Sequence, residues 1–154
     1  MTAHQAPCKA TWNQKLAACS TWKMGGSARV LCEPSSVSEL QAVEAWRKRH
    51  GLKRLIIGGG SNLLFSDDGF DGVVLRLADD FAEFALDGNR MRVGAAASAV
   101  KVARACAEAG LSGMEFAAGL PATVGGLVMM NAGAYGQDMQ AVIERVQVLR
   151  EGGL

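Results

Sequence analysis

Proline is scarce in this chain, at 3 residues in 154, and aromatic residues make up only 6%. Neither sign of charge is in excess: 16 lysines and arginines face 15 aspartates and glutamates, a formal net charge of +1. Without a basic surplus there is no electrostatic argument for nucleic-acid binding. Histidine occurs twice, at His4 and His50, and the four cysteines (Cys8, Cys19, Cys32, Cys106) include no C-x-x-C pair. That spacing yields neither a metal site nor a disulfide framework, and it fits four ordinary thiols in a reducing cytoplasm. The opening stretch MTAHQAPCKATWNQKLAAC is mixed polar and lacks the apolar core of a signal peptide or a membrane span. A cytoplasmic protein is expected, with no membrane association and no protein partner.

Glycine, by contrast, is abundant. Of the nineteen glycines, ten gather in Gly58–Gly60, in Gly119–Gly136 and near the C-terminus. Clustered glycine between patterned segments marks tight loops near a ligand. The rest, 49% hydrophobic and 20% charged, suffices for one core or two small lobes. Residues 1–20 carry no clear pattern and read as an irregular or partly helical lead-in. ARVLCEP (Ala28 to Pro34) reads as a strand stopped by proline. A helix follows, with Ser36 as N-cap and Glu39 completing a capping box. Val37, Leu40, Val43 and Trp46 form its apolar side, Arg47 to Arg49 its last turn, and Gly51 ends it. RLIIGG is the next strand, so Ala28 to Gly60 is a β-α-β unit. GVVLRLA (Gly72 to Ala78) is a third strand, and FAEFALDGNRMRVGA a hairpin turning at Asp87, Gly88 and Asn89. Ser98 caps a second helix that Gly110 terminates. RVQVLREGGL alternates as a strand entering a turn, and a strand so placed calls for a return strand. The chain therefore reads as an amino-terminal piece of a longer protein.

The Gly58-Gly59-Gly60 loop satisfies G-x-G but not the dinucleotide fingerprint of a doubly wound fold. Position 63 is Leu63 where the third glycine belongs, and the segment after the loop reads as turns and a strand, without the helix the pyrophosphate needs. No G-K-[ST] follows, which removes a Walker A loop. What remains is either a tight turn without a ligand, or a nest of backbone N–H groups for an anion, with Ser61 and Asn62 adding side-chain donors. The second block, AGLPATVGG followed by NAGAYG, favours the ligand. Two separate loops of this kind suit a long ligand with a diphosphate on one loop and a ring system against the other, as in FAD.

STWKMGGSA (Ser20 to Ala28), IIGGGSNLLFSDDGFDGVVLRL (Ile56 to Leu77) and GLSGMEFAAGLPATVGGLVMMNAGAYGQ (Gly110 to Gln137) resemble, in that order, the UDP-N-acetylenolpyruvoylglucosamine reductase family. The resemblance implies an α+β, two-lobed FAD-binding domain of the vanillyl-alcohol-oxidase/PCMH type, here with the second lobe incomplete. It divides the chain into the lead-in at 1–20, a first lobe at 21–80 and part of a second lobe at 81–154, with the substrate domain absent. By resemblance, Ile57, Gly58, Gly59, Gly60, Ser61, Asn62 and Leu63 form the pyrophosphate loop. Gly119, Pro121, Thr123, Val124, Gly125 and Gly126 flank the flavin, and Asn131, Ala132, Gly133 and Tyr135 continue the FAD-contacting segment. Two departures stand out: Trp22 replaces a phenylalanine, and Ala122 replaces a glycine in the flavin-flanking loop.

The family implies NADPH-driven, FAD-dependent reduction of UDP-N-acetylglucosamine enolpyruvate to UDP-N-acetylmuramate, for peptidoglycan synthesis. The serine, arginine and glutamate that implies lie in later motifs, so no catalytic residue is assigned here and the chain alone is expected to be inactive, with FAD binding weakened or lost. Ser61, Ser112 and Tyr135 are the nearest polar substitutes, but nothing in the sequence brings them to a reacting carbon. His4, His50, Glu108 and Glu115 read as solvated or capping residues, and Met129 and Met130 as packing residues. A subunit of another oxidase of the same superfold and a non-catalytic module are the competing expectations.

Overall fold

The computed structural model describes residues 5–150. Its first lobe is a four-stranded sheet in the order β1-β2-β4-β3, built from β1 (Lys9–Lys15), β2 (Ser27–Glu33), β3 (Lys53–Ile57) and β4 (Phe70–Arg76). β1 runs antiparallel to β2, while β2 and β3 both lie parallel to β4 between them. The lead-in expectation is thus corrected where residues 1–20 are described, residues 1–4 lying outside: β1 is a regular edge strand, followed by a 3₁₀ turn at Leu16–Cys19. The pattern KATWNQK hides it because an edge strand with one solvated face needs few apolar residues. Only Trp12 among its seven is strongly apolar, and it meets Trp46 edge-to-face at 6.2 Å.

Helix α1 (Val37–Arg49) connects β2 to β3. Ser36 caps it by accepting from the Glu39 N–H at 3.3 Å. The return arm of the capping box lands one residue early, for Glu39 Oε2 accepts from the N–H and hydroxyl of Ser35 at 2.9 Å each. Val43 and Trp46 are fully buried while Val37, in the first turn, is exposed. Strand alternation then sorts the core. Val30, Cys32, Val73 and Leu75 face α1, whereas Leu31 and Val74 point to the opposite cluster with Leu16, Cys19 and Ile57.

The second lobe holds the hairpin β5 (Phe84–Asp87) and β6 (Arg90–Val93), helices α2 (Ala99–Glu108) and α3 (Val124–Met130), and the two-residue ladder of β7 (Gly133–Ala134) with β8 (Gln137–Asp138). Its core is Ala97, Val102, Phe116, Ala117, Leu127 and Met139 with their neighbours. Ser98 caps α2 and Gly110, at φ +71°, follows its C-cap, as the motif reading expects. Two expectations fail. Met129 and Met130, at the C-terminal end of α3, are exposed by 83% and 61%. Residues 145–149 form no strand either: Val146 and Val148 alternate but are half exposed, and no strand among the described residues pairs with them. In this stretch Arg150 alone is bridged, and the expected turn at Glu151 to Leu154 lies outside the described residues. Alternation alone makes no strand without a ladder partner.

Candidate cofactor site

Three consecutive glycines follow β3, and each is there for a different reason. Gly60 sits at φ +75°, and a Cβ on it would run into the Cys19 carbonyl. Its own carbonyl accepts from the Thr21 N–H at 3.2 Å, tying the loop to the turn after the 3₁₀ segment. Gly58 lies where a Cβ would strike Thr123 Oγ1, which belongs to the other lobe. Gly59 is exposed, lies outside the left-handed region, and its Cβ would meet only the Pro121 carbonyl oxygen, at 3.7 Å. Gly60 therefore serves the fold and Gly58 the junction between lobes, while Gly59 is left exposed with room beside it. No N–H group of Gly59, Gly60, Ser61 or Asn62 donates to an acceptor among the described residues. Such a run of unengaged amides is what an anion nest presents.

The structure brings this loop against the second glycine block. Thr123 caps α3, its hydroxyl accepting from the Gly126 N–H at 3.3 Å. The Val124 and Gly125 N–H groups donate to the Ala97 and Ala95 carbonyls at 2.9 and 2.8 Å. The N-terminus of α3 is thus satisfied from within, so the free donors at the seam are those of the first loop. Gly125 is glycine because a Cβ would crowd Ala95 at 2.8–2.9 Å. Val124 is buried, Gly119 and Pro121 are exposed beside the seam, and Ile57 ends β3 in the core. Leu63 packs against the first lobe's cluster and its carbonyl accepts from the Ser20 hydroxyl at 2.9 Å.

The third segment is committed to its own geometry. Asn131, in the left-handed region at φ +42°, donates through Nδ2 to Asp138 Oδ2 at 3.0 Å and accepts at Oδ1 from the Gln140 N–H at 2.9 Å. Its amide is thus engaged at both the nitrogen and the oxygen within the protein. Ala132 packs on the second lobe's core, and a Cβ at Gly133 would meet the Gln137 carbonyl across the ladder. Tyr135, at φ +57° in the hairpin turn, is 98% exposed. These four shape the hairpin beside the seam.

Between the first loop and the turn at Ser20 to Lys23 opens a cavity of about 190 Å³, lined by Cys19, Thr21, Lys23, Gly58, Gly59 and Arg76 among others. Sequence reasoning assigned no site role to Lys23 or Arg76, although STWKMGG carried a signal. A Cβ at Gly25 would press on Phe65 Cβ at 2.5 Å, and one at Gly26 on the Asp67 carbonyl. The motif's glycines let that turn lie flat against the end of the first loop. A larger hollow of about 350 Å³ lies along α2, lined by Val100, Arg104, Cys106, Leu111 and Glu115. It includes no residue of either glycine loop, so it is not read as the cofactor site. Among the described residues no three metal-binding side chains cluster, no helix is long and apolar enough to cross a membrane, and all four cysteines are free thiols.

Two lobes that meet along glycine loops, with open backbone donors and two cations lining one cavity, are an arrangement that can take a phosphorylated cofactor. The chain belongs to the family described as the FAD binding domain, whose model matches residues 28–154. It is 43% identical over 141 residues to UDP-N-acetylenolpyruvoylglucosamine reductase of Bacillus subtilis, covering 92% of this chain and 46% of that protein. It is 42% identical over 129 residues to UDP-N-acetylenolpyruvoylglucosamine reductase 1 of Corynebacterium glutamicum, covering 84% and 38%. The crystal structure of UDP-N-acetylenolpyruvylglucosamine reductase (MurB) from Thermus caldophilus superposes with a TM-score of 0.67 at 34% identity, covering 85% of this chain and 44% of that one. The chain spans less than half the length of these curated relatives. The resemblance read from the motifs is borne out, as are the mixed α+β fold and FAD as the family's cofactor.

Proposed function

We propose that this chain is the FAD-holding part of a UDP-N-acetylenolpyruvoylglucosamine reductase, acting in the cytoplasm in peptidoglycan synthesis. The observation that carries the reading is the meeting of the loops at Gly58 and Thr123, with the amides of Gly59 to Asn62 unengaged beside it. The residues fit a diphosphate: Gly59 leaves the backbone open to close approach, and a Cβ there would occupy the approach path. Gly59, Gly60, Ser61 and Asn62 would hold the diphosphate, and Gly119, Pro121 and Thr123 would border the ring system. When bound, FAD supplies the hydride relay between NADPH and the enolpyruvyl double bond. The chain's own part is to bind, orient and shield. Thr123 holds the two loops in register, while the buried Gly60 and Cys19 backbone closes the floor against water. No residue here is assigned to proton transfer, so the chain alone is expected to show no turnover.

The test is to supplement the purified chain with FAD, desalt it, record retained flavin, and mix it with NADPH and UDP-N-acetylglucosamine enolpyruvate. Weak flavin binding, seen on titration but largely lost on desalting, and no substrate-dependent NADPH oxidation are the expected results. Turnover would refute the assignment of chemistry elsewhere. Reduction of bound flavin by an alcohol or 2-hydroxy acid, and not by NADPH, would favour an oxidase.

A further inference from the structure

The cavity beside the first glycine loop has a second wall, to which neither the motifs nor the relatives attach a role. Ser20 anchors it. Only 3% exposed, it donates to the Leu63 carbonyl at 2.9 Å and accepts at Oγ from the Trp22 N–H at 3.1 Å. Thr21 is held to the Gly60 carbonyl, and the Lys23 N–H donates to the Ser20 carbonyl at 3.3 Å. The turn and the glycine loop are therefore one rigid piece. Lys23 stands in this turn at φ +56°, a left-handed conformation that strains a lysine and would suit a glycine. Its ammonium has no ion-pair partner among the described residues, and it lines the cavity. A strained, exposed, unpaired cation at such a place has no packing rationale.

Arg76 completes the wall from the end of β4, where it pairs in register with Ile57, the residue before the loop. Its Nη2 and Nε donate to Glu33 Oε1 at 2.7 and 3.1 Å, and Glu33 Oε2 takes Lys9 at 3.1 Å. Two cations thus share one carboxylate, leaving positive charge uncompensated, and Lys23 adds to it. The Glu33 contacts aim the guanidinium and leave its Nη1 without a partner among the described residues.

We propose that Lys23, together with Arg76 oriented by Glu33, forms a cationic wall that recognises the diphosphate, so that the site selects diphosphate-bearing ligands over riboflavin. The identity of the ligand rests on the FAD reading above; the anion site does not. Backbone amides supply geometry at one side of the dianion, and these side chains supply the opposing charge, whose attraction salt would screen.

The test compares wild type with Lys23→Met, Lys23→Arg, Lys23→Gly and Arg76→Met in the full chain. Flavin fluorescence gives affinities for FAD and riboflavin across a salt series, and thermal shift reads inorganic pyrophosphate. Lys23→Met is expected to weaken FAD about tenfold, in line with loss of one charge-assisted hydrogen bond, to flatten its salt dependence, and to leave riboflavin unchanged. Lys23→Arg restores most of the affinity. Lys23→Gly raises the melting temperature by relieving the backbone yet binds FAD as weakly as Lys23→Met, which separates charge from folding. Unchanged FAD affinity and salt slope in both Lys23→Met and Arg76→Met would overturn the proposal. Pyrophosphate binding without FAD binding would uphold the anion wall and sink the flavin reading. Failure of wild type to bind either would sink both.

Discussion

Replacing each of the three loop glycines by alanine separates what the fold needs from what the ligand needs. At Gly60 the backbone is left-handed, φ +75°, which costs an alanine about 1 kcal/mol or more. The new Cβ would also overlap the Cys19 carbonyl and come within 3.0 Å of the Ser20 Cα. Both are backbone atoms, so no rotamer change relieves the contact. The turn must shift, and the Thr21 N–H bond to the Gly60 carbonyl goes with it, for about 1 kcal/mol more. Gly60→Ala should therefore lose about 2–4 kcal/mol, a large share of a stability on the order of 5–15 kcal/mol. Gly59→Ala meets only ordinary contact at 3.7 Å and should stay within about 0.5 kcal/mol of wild type. Its effect should fall on FAD, where the methyl group obstructs the approach. Urea midpoints and flavin fluorescence titrations read the two effects separately. A Gly60→Ala protein as stable as wild type, or a Gly59→Ala protein that binds FAD undiminished, would refute the division of labour.

Thr123→Ala should cost about 1 kcal/mol through the lost cap on Gly126. In the same urea assay Gly58→Ala should cost less in that background than in wild type, because its clash is chiefly with the hydroxyl removed. Asn131→Ala should lose about 1–3 kcal/mol, from two side-chain hydrogen bonds and a left-handed backbone, with Asn131→Gly losing less in parallel denaturation curves. For Glu33, burial opposes ionisation, but the hydrogen bonds from Arg76 and Lys9 outweigh it and hold the carboxyl below its ordinary value of 4.5. A pKa depressed by folding gives stability that is present above the unfolded value and lost as pH falls through the folded one. Stability should therefore decline below about pH 4.5, and Glu33→Gln should flatten that decline in urea midpoints taken across the acid range.

The first lobe's middle was legible because its signals are local. Ser36, the spaced apolar side at Val43 and Trp46, and Gly51 at φ +63° are each enough to start, orient or stop α1. What escaped was decided by neighbours far along the chain. β1 is a strand because β2 offers it a ladder from Lys9↔Glu33 to Lys15↔Ser27, and nothing within KATWNQK announces that. The same reasoning runs in reverse at Val146 and Val148, where alternation exists without a ladder partner among the described residues. At the site, glycine clustering marked both loops but could not rank them by role. Gly58 and Gly60 look alike in sequence, and only Thr123 and Cys19, brought from other elements, tell them apart. Asn131 likewise owes its visible partners, Asp138 and the Gln140 N–H, to residues seven and nine positions on, which the motif alone does not announce.

The placement of the site at the junction has a consequence for how stability and binding are linked. Each lobe has its own core, and the contact at Gly58 and Thr123 joins them through atoms that also organise the two loops. Thr123 Oγ1 is at once the cap of α3 and the surface against which Gly58 packs. A ligand spanning both loops would hold that junction closed, and one that binds only the joined form stabilises it by mass action. Ligand affinity in turn is reduced by whatever fraction of molecules has the seam open. Substitutions at Thr123 should thus weaken FAD binding without touching the diphosphate, whereas Lys23 substitutions should weaken it without loosening the lobes. The two positions act on the same ligand by separable routes, one through geometry and the other through charge.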